Sequence, residues 1–598
     1  MRWLLLLPAI ACAQDSVATR QLTSEIDAFL LKETAAHIAD IKSIPQQRVV
    51  GALTTGDFSW GTFLRAAAVE WQLSGETNIG GRDLPKFLGQ VGLVEARGGG
   101  KSFAQMYAAL GLRHFGKDLK TNALWQSLSP SEQAEWRSLL DPARFYDRAA
   151  RHVINLPENY FGVAARIASM DYQMGIITDR TYVDDLLDQA AAQFVKGAIY
   201  SDDNVPTGRF DRYSQEYARY VYEAAENAGR KDILAALEPS IKTQLKLWWD
   251  MVAPDGYGYT WGRSLGVIGY MDTMEIVSFT AAHPQFRPAP LPQLASAYCA
   301  AWKSLMSEYL PDRHLLNVFG FGHGHFSYIN PEREWQQTTA FFGKAANAEI
   351  LFKEALRKEN VASFPAKLDP PPVARFEYFR KGDRPAGVWI VRQGPFSFAL
   401  PITTGTKPGV ADYLAAPHGL AGFSVPVERV VPTLVPFIEL TDGRVLVAGD
   451  GADEIHPAAD AKSLQAIWKR WVIIGGKPAA FVDPGFSTKV SWTIRDGALL
   501  REETISASQP ITINRIWSMF PSTSDRVSTR VVNGQRVDRF DAIEVSASLP
   551  VSALRATGDG ELGRGNKGPI PLLLEWEARG VKIDATHPFH WTVSLRPN

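Results

Sequence analysis

Four stretches of the chain gather side chains able to hold an anion or move a proton. The first is Pro157-Glu158-Asn159-Tyr160, a loop entering a helix. There the Asn159 amide either caps the helix or donates to a substrate carboxylate or enolate. The second is Arg209-Phe210-Asp211-Arg212-Tyr213-Ser214-Gln215-Glu216-Tyr217. Tyr213, Glu216, Tyr217 and Tyr220 share one helix face by three/four spacing. Polar-tipped aromatics in that number exceed what packing alone needs.

The third stretch is Asp255-Gly256-Tyr257-Gly258-Tyr259-Thr260-Trp261-Gly262-Arg263-Ser264. Its glycines let a ligand approach the backbone, and Tyr257, Tyr259 and Trp261 offer flat faces for sugar rings. Arg263 opens the next helix against the dipole, which suits a fork that holds a carboxylate. The fourth is Gly320-Phe321-Gly322-His323-Gly324-His325, followed by Glu332-Arg333-Glu334-Trp335. His323 and His325 suit a loop base or a carboxylate ligand, and Glu334 a substrate contact. Two His one residue apart also leave a loop-bound divalent metal open, though spacing supplies no third ligand. No cofactor is otherwise expected. In the later half, His418 in Ala415-Ala416-Pro417-His418-Gly419 is the one candidate able to reach the junction between the halves.

These clusters must be positioned by two kinds of structure. From residue 24 to about 358 the apolar period is helical, with stretches at 61–73, 102–115, 159–176, 181–199, 213–228, 231–249, 263–281, 291–309 and 335–357. Ser24 is expected to cap the first helix, and Ser129-Pro130-Ser131-Glu132 reads as a capping box. Short connections favour antiparallel neighbours, and no fixed-period repeat marks a regular solenoid. Phe364-Pro365-Ala366-Lys367-Leu368-Asp369-Pro370-Pro371-Pro372 cannot continue a helix and is read as a linker. Beyond it the period is two. Asp442-Gly443, Asp496-Gly497 and Asn533-Gly534 each sit between apolar runs as hairpin turns. The expected fold is therefore multidomain α and β. An N-terminal (α/α) toroid or incomplete barrel spans 24–363, and a C-terminal antiparallel β-sandwich spans 374–598.

Composition limits the function. The 598 residues carry 63 basic and 64 acidic side chains, without the basic excess of a nucleic-acid binder. There is no GxGxxG opening a βαβ unit, no P-loop and no GxSxG elbow, so dehydrogenase, ATPase and α/β-hydrolase readings lack support. Met1-Arg2, an apolar run and Ala11-Cys12-Ala13 form a secretory signal with cleavage after Ala13. The product would be exported, periplasmic or extracellular, with a lipid anchor on Cys12 as the alternative. No later run is long enough to span a membrane. Of the two cysteines only Cys299 would remain, in a helical stretch that marks it as a small core residue.

This architecture, with the local residue types above, resembles the polysaccharide lyases built from an (α/α) toroid and an antiparallel sandwich. These are of the heparinase II/III, alginate and chondroitin lyase type. The resemblance implies β-elimination on a uronic-acid polysaccharide or oligosaccharide. It implies Asn159 and Arg263 as carboxylate binders, Tyr213 or Tyr217 as acid/base, and His323 or His325 as base or carboxylate ligand. A glycoside hydrolase on a similar toroid is the rival enzyme, with Asp211, Glu216, Asp255, Asp272, Glu275 and Glu334 as available carboxylates. A surface glycan-binding protein is the non-enzymatic alternative.

Overall fold

The computed structural model describes residues 16–43, 60–98, 102–156, 160–195, 210–262, 264–320, 331–403, 414–427, 430–475, 481–558, 560 and 562–598. The proposed signal segment, Asn159, Arg263, His323 and His325 lie outside these residues. Thirteen α-helices occur among the described residues, all before residue 359. They are α1 (Thr19–Ser43), α2 (Gly61–Ser74), α3 (Leu84–Gly98), α4 (Ser102–His114), α5 (Ala123–Gln126), α6 (Pro130–Leu140) and α7 (Phe161–Met174). Then come α8 (Arg180–Val195), α9 (Arg212–Ala228), α10 (Lys231–Met251), α11 (Ile268–Ala282), α12 (Leu291–Ser307) and α13 (Pro331–Lys358). Ser24 lies inside α1, because Thr19 already starts it and is held by Val361 O at 2.7 Å. Ser129 and Glu132 form the expected reciprocal capping box of α6. Two-residue strands also pair between helices, as at Tyr146–Asp147 with His152–Val153.

Two series of helices alternate along the chain. The inner series is α2, α4, α7, α9, α11 and α13, and neighbours pack as α11–α13–α2–α4–α7–α9. Side chains link α9 to α11, as in the Arg212–Asp272 ion pair. The outer helices α1, α3, α8, α10 and α12 pack on inner partners. The inner helices run parallel. Thr62 of α2 meets Thr339 of α13 at 2.8 Å, and one turn later the Gly343 position abuts Ala66. Small residues permit this approach: a Cβ on Gly61 would collide with the backbone of Ala104.

The later half is antiparallel. A seven-stranded and an eight-stranded sheet enclose one apolar core containing Trp468, Trp492, Trp576 and Trp591. All three predicted hairpins form. At Asp496-Gly497 and Asn533-Gly534 both turn residues have positive φ (53° and 73°, 50° and 80°), the geometry that Asp-Gly and Asn-Gly accept at low cost.

A three-stranded sheet (Val373–Arg380, Ala386–Gln393, Phe396–Ile402) joins the halves. Side chains alternate across it. Val388, Ile390 and Ala399 belong to the helical core, and Trp389, Val391, Phe398 and Leu400 to the sandwich core. The stretch read as a linker is pinned. Ser363–Pro365 pairs with Ser16–Ala18, Ser296 donates to Pro365 O at 2.6 Å, and Leu368 is buried.

Candidate functional site

Because the inner helices are parallel, their N-terminal ends gather at one end of the ring. Trp60 beside α2 packs at a tilt against Trp335 of α13 (4.8 Å), Phe103 of α4 meets Tyr160 (5.1 Å), and Tyr160 meets Tyr217 of α9 (6.2 Å). The four candidate segments of the helical half all enter inner helices. Asn159 precedes α7, Tyr213 and Tyr217 open α9, Arg263 precedes α11, and His323, His325 and Glu334 lead into or open α13.

Tyr213 is set by its helix start. Asp211 caps α9, accepting from the Tyr213 N–H at 2.9 Å, and Ser214 completes a capping box. The Tyr213 ring stacks on Tyr217 at 5.6 Å, and the Arg212 guanidinium lies 3.9 Å over it. Tyr217 is 2% exposed, whereas Tyr213 is half-buried. Of the two tyrosines, Tyr213 offers the more accessible ring. On the far side, a Cβ on Gly262 would meet Asp211 at 2.6 Å. The residue before Arg263 therefore lies against the cap of α9. Gly262 and Ser264 flank Arg263 with φ of 106° and 57°, and a left-handed serine is a strained backbone position.

The sugar-platform reading of the third cluster is corrected. Tyr257, Tyr259 and Trp261 are all 0% exposed. Tyr257 OH donates to Asn566 O in the β half at 3.0 Å, and Trp261 Nε1 donates to Phe210 O at 3.0 Å. Trp261 also stacks toward Phe379 of the three-stranded sheet at 6.4 Å. These rings weld the ring end to the sheets and leave no face for a ligand.

The β half closes over the same end. Arg392 donates to Asp250 O and Val252 O at 3.2 and 2.9 Å, capping α10, and Arg375 reaches Asp250 at 2.7 Å. A cavity of about 910 Å³ opens at this junction, lined by Arg313, Phe319, Glu334, Asp525, Arg564 and Leu572 among others. Glu334 therefore stands at the junction, paired with Arg313. A second cavity of about 250 Å³ brings Thr260 against His418 and Gly419. His418 lines this cavity with Thr260. Burial pushes its pKa down to about 4, so it is neutral near pH 7, and Nε2 contacts Leu414 O at 2.9 Å. A neutral ring does not neutralise a carboxylate.

Below this end, every inner helix places a polar group inside the ring: Arg65, Tyr107, Arg166, Glu216, Glu275 and Lys344 are among them. Lys344 bridges Glu216 and Glu275 at 2.7 and 2.9 Å, and Arg212 bridges Glu216 and Asp272 at 2.6 and 3.1 Å. Arg166 pairs with Glu223 at 2.5 Å. Burial pushes Asp272 up to about 7, and its Oδ2 has no partner. Burial also acts against Glu216, but the adjacent Lys344 and Arg212 outweigh it and hold Glu216 well below the usual carboxylate range. Glu216, Asp272 and Glu275 were among the carboxylates named from the sequence, but their pairing with Lys344 and Arg212 into an ionic floor was not. Its signal is lone charges in Ala-, Gly- and Phe-rich helices, as in Phe63-Leu64-Arg65-Ala66 and Phe342-Gly343-Lys344-Ala345.

Among the described residues no group of three or more His, Cys, Asp or Glu is arranged to hold a metal, and no helix is long and apolar enough to cross a membrane. Cys299 is buried and unbridged, with its thiol pushed up by burial.

No family model and no curated protein sequence matches the chain. Solved structures with similar architecture include a heparan sulfate lyase HepC mutant from Pedobacter heparinus, at 9% identity, TM-score 0.29, covering 86% of this chain and 76% of that one. Heparinase III aligns at 9% identity, TM-score 0.33, covering 83% and 76%. A chondroitinase AC lyase aligns at 10% identity, TM-score 0.31, covering 92% and 82%.

Proposed function

We propose that the protein is an exported polysaccharide lyase that cleaves uronic-acid-containing glycans by β-elimination. The observation that carries this reading is the convergence of inner-helix N-termini on one end, with Tyr213 at its surface. Helix N-termini present unpaired N–H groups and positive dipole ends, which favour an anionic substrate. In the proposed reaction Asn159 and Arg263 neutralise the uronate carboxylate, which acidifies the C5 proton. Tyr213, or His323 or His325, removes that proton. The C4=C5 double bond forms as the C4–O bond breaks, and a tyrosine hydroxyl protonates the leaving oxygen.

The hydrolase reading fares worse on specific ground. It needs two free carboxyl groups flanking a bond. Glu216, Asp272 and Glu275 are committed to buried ion pairs, and Asp211 is a buried helix cap. Incubation with alginate, hyaluronan, chondroitin and heparan polymers tests the proposal. New ultraviolet absorbance from an unsaturated uronate, rising with new reducing ends, supports it. Reducing ends without that absorbance indicate hydrolysis, and binding with neither indicates a glycan-binding protein.

A further inference from the structure

We propose that Arg65 holds a small anionic group, a carboxylate or a halide, in the floor of the ring beside Tyr107. The charges of the floor are unevenly paired. Arg65 lies in the second turn of α2, only 2% exposed. Its Nε is sealed from solvent without a partner, and among the described residues its guanidinium makes no ion pair. Its aromatic neighbour is Tyr107, with the cation 5.5 Å from the ring centroid. The other cations of the floor are served: Arg166 by Glu223, Arg212 by Glu216 and Asp272, Lys344 by Glu216 and Glu275, and Arg219 by Gln215 at 2.7 Å. Arg65 is the one left over.

A buried cation without a directly paired counter-charge is costly, and arginine does not shed its proton to escape the cost; Glu275 acts on Arg65 only from beyond ion-pair distance and is itself bound to Lys344. Burial and the nearby Arg166 both press its pKa down, and Tyr107, Glu275 and Tyr220 only partly offset them. The site also lies one turn from the end where the inner-helix N-termini gather, so their dipoles reinforce the same sign. A planar guanidinium matches a carboxylate in a two-point fork and accepts a halide at a single point. This inference shares the end of the ring assigned to the substrate, but it concerns anion binding and stands whether or not elimination occurs there.

The test is thermal unfolding of the full chain at constant ionic strength, replacing a bulky sulfonate buffer anion stepwise with chloride, acetate or glucuronate. The expected result is a saturable rise in Tm for the wild type, lost in Arg65→Met, which without added anion melts at or above the wild-type temperature. Arg65→Gln serves as a second variant should Met fold poorly. A rise with chloride and acetate identifies a free-ion site, and a rise confined to glucuronate identifies a subsite for a uronate group. Either supports the proposal. A non-saturating wild-type response, or equal rises in wild type and both variants, overturns it. Lyase assays play no part, so a failure here is separable from failure of the functional reading.

Discussion

Lys344 Nζ lies 2.7 Å from Glu216 Oε1, a contact between side chains 128 positions apart that ties α13 to α9 inside the ring. Both side chains are about 5% exposed or less. Removing one partner leaves the other charge buried and uncompensated. Lys344→Met should therefore cost about 3–5 kcal/mol in urea unfolding. Lys344→Met with Glu216→Leu should cost clearly less than the sum of the two single changes, which a double-mutant cycle reads directly.

Trp261 separates two roles. As a fully buried ring it should lose about 3–5 kcal/mol on replacement by alanine. A surface sugar platform would lose about 0.5 kcal/mol or less and raise KM instead. Denaturant midpoints distinguish the two outcomes.

Tyr213 should show the reverse pattern. Tyr213→Phe keeps the ring that stacks on Tyr217 and under Arg212, so stability should change by about 1 kcal/mol or less. If Tyr213 moves the proton, turnover should fall by roughly 10²-fold or more. Unchanged turnover would shift the acid/base role to the His323 and His325 loop.

Stability should fall as pH rises through neutrality. Burial pushes Glu70 and Glu349 up to about 8, and Asp272 to about 7. For a carboxyl raised on folding, the native state holds its proton more tightly than the unfolded chain. Its stabilising contribution is full below the unfolded pKa, near 4, and is lost as pH climbs through the folded value. Glu216 and Glu275 are held low by Lys344, and theirs is lost as pH falls through the acid range. From these groups Tm should accordingly peak in the acid range, about pH 4–5, where the two trends cross. Glu349→Gln keeps an acceptor for the Tyr298 hydroxyl, 2.9 Å away, and should flatten the decline toward pH 8.

Local signals in the sequence carried much of this fold. Periodicity located the outer helices because each buries one face, whereas the inner ones are buried nearly all round, as along Ser102–Leu112 and Phe161–Asp171, and Gly61 and Gly343 allow them to pack closely. Asp-Gly and Asn-Gly located the hairpins because few residues take positive φ cheaply. The ionic floor was not legible as a site, since Arg212 finds Asp272 60 positions away and Lys344 finds Glu216 from another helix. The Tyr257–Trp261 run misled for a related reason: glycine and aromatics suit a sugar subsite and an interdomain weld equally. Ser24 looked like a cap, yet the start of α1 is set by Thr19 contacting Val361, from the far end of the helical half.

The three-stranded sheet bears on how this chain can be divided. Its strands present Val388, Ile390 and Ala399 to the helices and Trp389, Val391 and Leu400 to the sandwich. A chain ended at Pro372 would lose the wall that packs against the apolar core of the helical half, and a fragment begun there would carry that wall's apolar reverse bare into water. Neither piece is a portable module. In recombination or protein engineering, the inheritable unit is the ring with its sheet, and a replacement sandwich must arrive with a first sheet matched to the ring it meets.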